Sequence, residues 1–172
     1  MGPRAVSRVI GVTKAYATRV GHGPFPSELP EEEGARLREM GDEYGATTGR
    51  PRRCGWLDVP ALRYAARVNG LDGLIVTKLD VLDTFDEIRA VAGYERDGVP
   101  VRGMLATVKA LEAVEPVWKT FPGWGRSTES LRAWRDLPAA AREYLEWIER
   151  EVGVPLISVS VGAEREAEIP RG

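Results

Sequence analysis

The sequence contains few of the residues that build disulfides and metal clusters. Its 172 residues include one cysteine, Cys54, and one histidine, His22. A single cysteine excludes an internal disulfide and a cysteine metal cluster, and it is typical of a reducing compartment such as the cytoplasm. His22 lies between two glycines, where a solvated or backbone-bonded histidine is more common than a catalytic base. We therefore expect neither a metal site nor histidine catalysis from this chain itself.

Long apolar runs and a strong net charge are also missing. No apolar run approaches the roughly 20 residues that a membrane helix needs, and the first residues do not follow the pattern of a signal peptide. The net charge of −2 does not provide the broad basic surface that nucleic-acid binding requires. We expect a cytoplasmic protein with no membrane or nucleic-acid partner. Its length and its 43% of hydrophobic residues predict one domain over residues 1–172.

The order of apolar and turn segments predicts an α/β fold. Helix start signals occur at Asp58-Val59-Pro60 and Asp136-Leu137-Pro138, and stop signals at Asn69-Gly70 and Gly153. The predicted helices are 31–44, 59–69, 105–114 and 137–152, and the predicted strands lie within 1–19 and at 74–76, 88–94, 100–101, 117–121 and 154–161. The turn Arg96-Asp97-Gly98 predicts that strands 88–94 and 100–101 form a hairpin. The expected fold class is α/β, with a mixed, largely parallel sheet, flanking helices and binding loops at strand ends.

Two groups of apolar side chains are expected to pack in the interior. Val6, Val9, Ile10 and Val12 give the first strand the character of a buried strand. The tryptophans at positions 118, 124, 134 and 147 are expected in the core and at its edges, and not as a platform that stacks on bases.

The stretch from Gly45 to Trp56 concentrates the polar chemistry of the chain. It reads GATTGRPRRCGW, with two threonine hydroxyls and three arginines within a dozen residues. Glycine lets backbone amides approach a ligand closely, and arginine presents a forked, permanently charged donor to carboxylate or phosphate. The pattern predicts an anion-binding loop, and the alternative is a solvated basic turn.

A second polar turn, Thr77-Lys78-Leu79-Asp80, follows the apolar run Leu74-Ile75-Val76. An aspartate at this place can accept hydrogen bonds from N1 and the exocyclic amine of guanine, while the lysine stem covers the ring; adenine has no such donor pair. Ligands of open α/β sheets collect at the carboxyl ends of strands, where this turn is expected. An ordinary surface turn is the alternative interpretation.

Four motifs together resemble the adenylosuccinate synthetase family. They are RVGHGPFP at 19–26, TTGRPRRCGW at 47–56, TKLDVLD at 77–83 and PGW at 122–124, in the family's order and at its spacing. The resemblance runs from about Gly11 to Arg165, and it covers only the C-terminal part of that enzyme. It implies the C-terminal portion of a P-loop-related synthetase fold.

The resemblance implies a role for each polar turn. The enzyme joins IMP to L-aspartate: GTP phosphorylates the purine 6-oxygen, and the amine of aspartate then displaces the phosphate, with magnesium bridging the nucleotide phosphates. The implied aspartate-binding residues are Ala46, Thr47, Thr48, Gly49, Arg50, Pro51 and Arg52, with Arg50 also at IMP, and the implied GTP-binding residues are Arg52, Lys78, Leu79, Asp80, Ser160, Val161 and Gly162. The chain departs from the family directly after Gly162, because Ala163 stands where the family usually has proline.

The same resemblance implies that part of the active site lies outside these residues. The family's phosphate loop, catalytic aspartate, magnesium ligand and catalytic histidine belong to its N-terminal portion, and no G-x-x-x-x-G-K pattern occurs here. We expect no catalytic residue in this chain, no turnover by it alone, and completion by the N-terminal portion of an enzyme that is a homodimer when intact. The alternatives are a stand-alone guanine-nucleotide or dicarboxylate binding module without catalysis, and an RNA-contacting domain with a basic loop.

Overall fold

The structure is a computed structural model that describes residues 5–105 and 107–172. In chain order its strands are β1 (Ile10–Lys14), β2 (Ala17–Arg19), β3 (Arg53–Gly55), β4 (Leu57–Asp58), β5 (Gly73–Thr77), β6 (Glu87–Arg96), β7 (Val99–Val101), β8 (Glu115–Pro122), β9 (Leu156–Ser160) and β10 (Glu168–Pro170), and its α-helices are α1 (Glu31–Met40), α2 (Val59–Asn69), α3 (Val108–Glu112) and α4 (Ala139–Val152).

The sheet that carries the second polar turn is mixed and mostly parallel. Its strand order is β1-β5-β9-β10, in which β1, β5 and β9 run parallel and β10 runs antiparallel to β9. Parallel neighbours end at the same edge of a sheet, so the residues that follow β5 and β9 meet there. The expected α/β class, with a largely parallel sheet and flanking helices, is confirmed.

Two further sheets occur in the described residues. The long strand β6 pairs antiparallel with β8 and β7 and parallel with β4. The predicted hairpin is present, and its turn residues Asp97 and Gly98 both have positive φ angles of 54° and 73°. The third sheet pairs β2 antiparallel with β3, which holds Arg19 opposite Arg53. This small sheet fixes residues Ala17–Arg19 beside the end of the predicted anion loop.

The start and stop signals of α2 act as the sequence predicts. The Asp58 carboxylate accepts a hydrogen bond from the Ala61 amide at 3.1 Å, and the left-handed Gly70, with φ 57°, ends the helix. The stop of α4 at Gly153 is confirmed by a φ of 75°. The expected cap at Asp136 is wrong, because α4 begins directly after Pro138 without a side-chain cap, and Asp136 belongs to a short 3₁₀ turn.

Two predicted helices are shorter than expected. Helix α1 ends at Met40 and not at Tyr44, because the chain turns at Gly41 and Asp42 has a left-handed φ of 47°. A Cβ at Gly41 would lie 2.3 Å from the hydroxyl of Tyr16, so the close approach there requires glycine. Helix α3 covers only Val108–Glu112 of the predicted 105–114, and Ala106 lies outside the described residues.

The expected buried strand within residues 1–19 is wrong. Its regular part divides into β1 and β2, and residues 1–4 lie outside the described residues. The side chains expected in the core are exposed: Val12 is 68% accessible, and Val6, Val9 and Ile10 are also exposed. The reason is that β1 lies at the edge of its sheet, so the apolar sequence pattern does not lead to burial in these 172 residues.

The core contains residues from the whole described chain, from Ala15 and Tyr16 to Ile169. Phe121 packs edge to face against both Tyr144 and Trp147 at centroid distances of 5.1 and 5.2 Å. Trp124 and Trp147 are buried as expected, whereas Trp118 is 38% exposed. None of the helices in residues 5–105 and 107–172 has the length and apolar character that crossing a membrane requires.

Candidate functional site

The candidate site begins where β5 and β9 end. The amide of Leu79 donates to the carbonyl of Ser160 at 3.1 Å, which joins the turn after β5 to the last residue of β9. The Ser160 hydroxyl donates to the carbonyl of Gly162 at 2.7 Å, and the Val161 amide donates to the carbonyl of Ala167. These bonds bring together the two segments that the family resemblance assigns to one nucleotide pocket, although they are far apart along the chain.

The turn after β5 presents a lysine and an aspartate from a constrained backbone. Lys78 has a left-handed φ of 60°, Leu79 is fully buried, and Asp80 begins a 3₁₀ turn. The Oδ1 atom of Asp80 is buried and accepts no hydrogen bond from the described residues. Burial, followed by repulsion from Asp83 and Glu129, raises the pKa of Asp80 above its ordinary value. An unsatisfied buried acceptor favours a ligand that brings a donor.

A cavity of about 530 Å³ lies beside Asp80, and its lining includes Gly125, Arg126, Ser127 and Glu129. Asp83 fixes this wall, because its buried carboxylate accepts from the Trp124 indole at 2.6 Å and from the Thr128 amide at 2.6 Å. The segment after the Pro-Gly-Trp motif is therefore held next to the aspartate by a buried hydrogen-bonded carboxylate.

The predicted anion loop is a closed turn between Glu43 and Arg52. The Arg52 amide donates to the Glu43 carbonyl at 2.9 Å, the Gly45 amide donates to the Arg50 carbonyl at 2.9 Å, and the Gly49 amide donates to the Gly45 carbonyl at 2.7 Å. The residues at the tip, 46–50, are exposed. Thr47, Thr48 and Arg50 thus present hydroxyl and guanidinium groups to solvent from a loop that is closed by backbone hydrogen bonds.

Glu43 connects this loop to the turn after β5. Its side chain is 0% exposed and accepts hydrogen bonds from four residues. Lys14 Nζ lies 2.7 Å from both carboxylate oxygens, the Tyr16 hydroxyl 2.6 Å from Oε1, Lys78 Nζ 2.9 Å from Oε1 and Arg52 Nη1 2.6 Å from Oε2. One carboxylate therefore joins β1, the anion loop and the turn after β5.

The charges around Glu43 favour an anionic ligand. Three cations, Lys14, Arg52 and Lys78, surround one carboxylate, which leaves two positive charges in excess. Burial alone would raise the pKa of Glu43, but the hydrogen bonds from Lys14, Tyr16, Lys78 and Arg52 outweigh burial and hold that pKa at about 2. Glu43 is therefore ionised at neutral pH, and the three cationic side chains are partly exposed around it.

The contacts of Arg53 are with residues outside the anion loop. Its guanidinium forms an ion pair with Glu28 and donates to the carbonyls of Gly21 and Gly23 at 3.2 and 2.8 Å. Arg53 thereby ties the glycine- and proline-rich segment 19–26 to β3. The segment contains His22, which is exposed. Of the three arginines in the basic stretch, Arg52 is bound to Glu43, Arg50 lies at the exposed tip of the loop, and Arg53 holds the segment 19–26.

The structure groups the residues predicted from the sequence into two neighbouring parts. Ala46–Arg52 form the loop, and Lys78, Leu79, Asp80, Ser160, Val161 and Gly162 form the joined strand ends. The sequence analysis missed Glu43, Lys14 and Tyr16, which connect the two parts. The sequence offers one signal for Glu43, an acid two residues before Gly45, and it falls within the predicted helix 31–44.

The family model for adenylosuccinate synthetase matches residues 1–169 of the chain. The chain belongs to the adenylosuccinate synthetase family. It is 54% identical over 165 residues to adenylosuccinate synthetase of Anaeromyxobacter sp. (strain Fw109-5), a match that covers 96% of this chain and 38% of that protein. It is also 54% identical over 160 residues to the Aquifex aeolicus (strain VF5) protein, covering 93% of this chain and 37% of that one.

A solved structure of fully ligated adenylosuccinate synthetase from Plasmodium falciparum has the same fold over the matched part. The TM-score is 0.96 at 38% sequence identity, and the match covers 100% of this chain and 42% of that one. The chain therefore spans about two fifths of the length of the adenylosuccinate synthetases that it matches.

Within residues 5–105 and 107–172, no group of three or more histidine, cysteine, aspartate or glutamate side chains could hold a metal ion. We derive no chemical step through magnesium from these residues.

Proposed function

We propose that these 172 residues supply the aspartate-binding loop and the guanine pocket of an adenylosuccinate synthetase. The observation that carries this proposal is the convergence of Arg52 and Lys78 on Glu43, because Lys78 lies two residues before Asp80, whose carboxylate has an unsatisfied oxygen. One buried carboxylate thus holds an arginine of the anion-binding loop and the lysine that lies beside the proposed base-reading aspartate.

In this proposal Asp80 selects guanine. Its unpartnered Oδ1 would accept from the base N1–H or the exocyclic amine, and the Lys78 stem would cover one face of the ring. The backbone of Ser160, Val161 and Gly162 would complete the pocket, supported by the bond from Leu79 to Ser160. The family's proline is replaced by Ala163, and Val161 is nevertheless fixed by its bond to Ala167.

The loop would bind L-aspartate and approach IMP. Aspartate carries two carboxylates, and the guanidiniums of Arg50 and Arg52 would neutralise them while the amine stays available for attack. Thr47 and Thr48 would add hydroxyl donors at the exposed tip of the loop. Arg50 would also contact IMP, and Arg52 would also reach the GTP.

The complete enzyme would carry out two steps. The γ-phosphoryl group of GTP is transferred to the 6-oxygen of IMP, which leaves GDP; the aspartate amine then forms a bond to C6 as the C–O bond breaks and phosphate departs. The part played by these residues is to bind and orient aspartate and the guanine base. The phosphate-binding and magnesium-binding groups would come from the part of the enzyme that these residues do not span.

Assembly and location belong to the same proposal. We expect the complete enzyme to be a homodimer in the cytoplasm, where the free and buried thiol of Cys54 stays reduced. Burial raises the pKa of that thiol, which keeps it protonated and unreactive.

Complementation tests the proposed function. Adenylosuccinate formation from GTP, IMP, aspartate and magnesium is measured with this chain alone, and with this chain mixed with the separately expressed N-terminal portion of the Aquifex aeolicus relative. We expect activity only in the mixture, and the Asp80→Asn variant in the mixture should raise the KM for GTP. Activity of this chain alone would contradict the proposal that it supplies only these two subsites.

Direct binding to this chain separates the proposal from its rivals. GDP and ADP are titrated by calorimetry, and we expect a preference for GDP that Asp80→Asn abolishes. GDP preference without complementation would support the binding module without catalysis. Equal binding of GDP and ADP would overturn the guanine assignment, and binding to RNA that weakens steeply with salt would support the RNA-contacting domain.

A further inference from the structure

We propose that Glu43 is a positioning residue that couples the two parts of the site. Its carboxylate holds Arg52 of the anion loop and Lys78 in one fixed arrangement, where Lys78 belongs to the turn after β5, residues 77–80, which we call the guanine turn. The effect that we expect on GDP binding rests on the proposed function. The structural part of the inference, the coupling of the two segments, can be tested without any ligand.

The geometry around Glu43 leaves little freedom to either cation. Arg52 is held twice, by its side chain at Oε2 and by its amide at the Glu43 carbonyl. Lys78 Nζ donates to Oε1 and, at 2.5 Å, to the carbonyl of Gly41. The two cations therefore take opposite oxygens of a carboxylate that is 0% exposed. A displacement of that carboxylate must change the surroundings of both.

The other donors fix the carboxylate itself. Tyr16, which is 1% exposed, donates its hydroxyl to Oε1, and Lys14 donates to both oxygens and to the Thr18 hydroxyl at 3.0 Å. Because Lys14 is the last residue of β1 and Tyr16 lies two residues after it, the carboxylate is anchored to the end of β1. The loop and the guanine turn are thus positioned from the same rigid element.

Positioning and simple charge neutralisation predict opposite results. If Glu43 only offset positive charge, its removal would leave three excess cations and would strengthen the binding of anions. If Glu43 positions the cations, its removal lets Arg52 and Lys78 leave their ligand-binding geometry, and anion binding weakens despite the greater positive charge. The sign of the change in affinity distinguishes the two roles.

The test compares Glu43→Gln with Glu28→Gln in the 172-residue chain. Glu28 forms an ion pair with Arg53, so its variant loses an acid–arginine pair of the same kind outside the coupled cluster. Amide hydrogen exchange is followed at residues 45–52 and 77–80. We expect Glu43→Gln to accelerate exchange by about tenfold in both segments, whereas Glu28→Gln leaves both unchanged.

Acceleration in only one segment, or in neither, would overturn the coupling. Glu43→Asp is the second variant in case Glu43→Gln does not fold, since it keeps the charge and withdraws the carboxylate by one methylene. It should accelerate exchange in both segments as well, and unchanged exchange in this variant would contradict the proposal.

GDP binding provides the second readout. We expect Glu43→Gln to weaken GDP binding about tenfold, and tighter or unchanged binding would overturn the positioning role. Failure of the proposed function is distinguishable, because it appears in the unaltered chain as equal affinity for GDP and ADP. In that case the exchange experiment alone decides whether Glu43 couples the loop and the turn.

Discussion

The carboxylate of Asp83 holds Thr128 by two groups at once, the backbone amide at 2.6 Å and the hydroxyl at 2.9 Å. Thr128 is 0% exposed and Asp83 is 7% exposed. The same carboxylate accepts from the Trp124 indole. These hydrogen bonds fix the Pro-Gly-Trp motif and the segment that follows it, which lines the cavity beside Asp80.

The first prediction concerns this buried carboxylate. Asp83→Asn places amide hydrogens opposite groups that are all donors, so we expect the free energy of unfolding to fall by about 1–3 kcal/mol. Urea denaturation followed by tryptophan fluorescence measures it. Asp86→Asn is the matched control, because Asp86 is an exposed acid three residues away. Equal losses in the two variants would contradict the role of Asp83.

The second prediction concerns the glycine of the same motif. A Cβ at Gly123 would lie 1.7 Å from the carbonyl oxygen of Phe85, which is backbone and cannot turn aside. Gly123→Ala should lower the free energy of unfolding by about 1–3 kcal/mol through overpacking. Gly93→Ala is the control, since a Cβ there meets no atom within 4 Å. A thermal melt in which Gly93→Ala loses as much as Gly123→Ala would refute this explanation.

The third prediction concerns the two arginines at the end of the basic stretch. Arg52→Ala should weaken GDP binding about tenfold, because this guanidinium faces the site from Glu43. Arg53→Ala should leave binding unchanged and reduce stability by about 1 kcal/mol, because it loses Glu28 and the carbonyls of Gly21 and Gly23. Calorimetric titration and urea denaturation of both variants check the contrast. Weaker GDP binding by the Arg53→Ala variant would show that both arginines contribute to binding the nucleotide.

The fourth prediction is a dependence of stability on pH. The pKa of Glu43 is about 2 in the folded chain against an ordinary value of 4.5, so the folded state binds the proton less readily than the unfolded state. The stabilisation is therefore complete above pH 4.5 and is lost as the pH falls toward 2, and it amounts to about 3 kcal/mol.

The measurement is the difference in unfolding free energy between the unaltered chain and Glu43→Gln across that range. We expect the difference to be constant from pH 7 to pH 5 and to narrow below pH 4.5. A difference that stays constant down to pH 2.5 would contradict the low pKa of Glu43.

Local signals in the sequence identified much of the fold. The Asp58 cap, the left-handed stops at Gly70 and Gly153, and the Asp97-Gly98 turn depend on neighbouring residues only, so the elements that they bound were predicted closely. Burial was predicted less well. Val12 follows an apolar pattern and is nevertheless exposed, because its burial depends on which strands lie beside β1 and not on its own sequence.

The family and the residue types of the two polar turns were determined by the sequence alone, since motifs such as TTGRPRR and TKLD are contiguous in the chain. The connection between them was decided only by tertiary structure. Glu43 lies 29 residues from Lys14 and 35 from Lys78 along the chain, and no local pattern reports a hydrogen bond over such separations. The parallel pairing of β1 with β5 brings the ends of both strands to one edge of the sheet. There the single buried carboxylate of Glu43 accepts hydrogen bonds from Lys14, at the end of β1, and from Lys78, after β5.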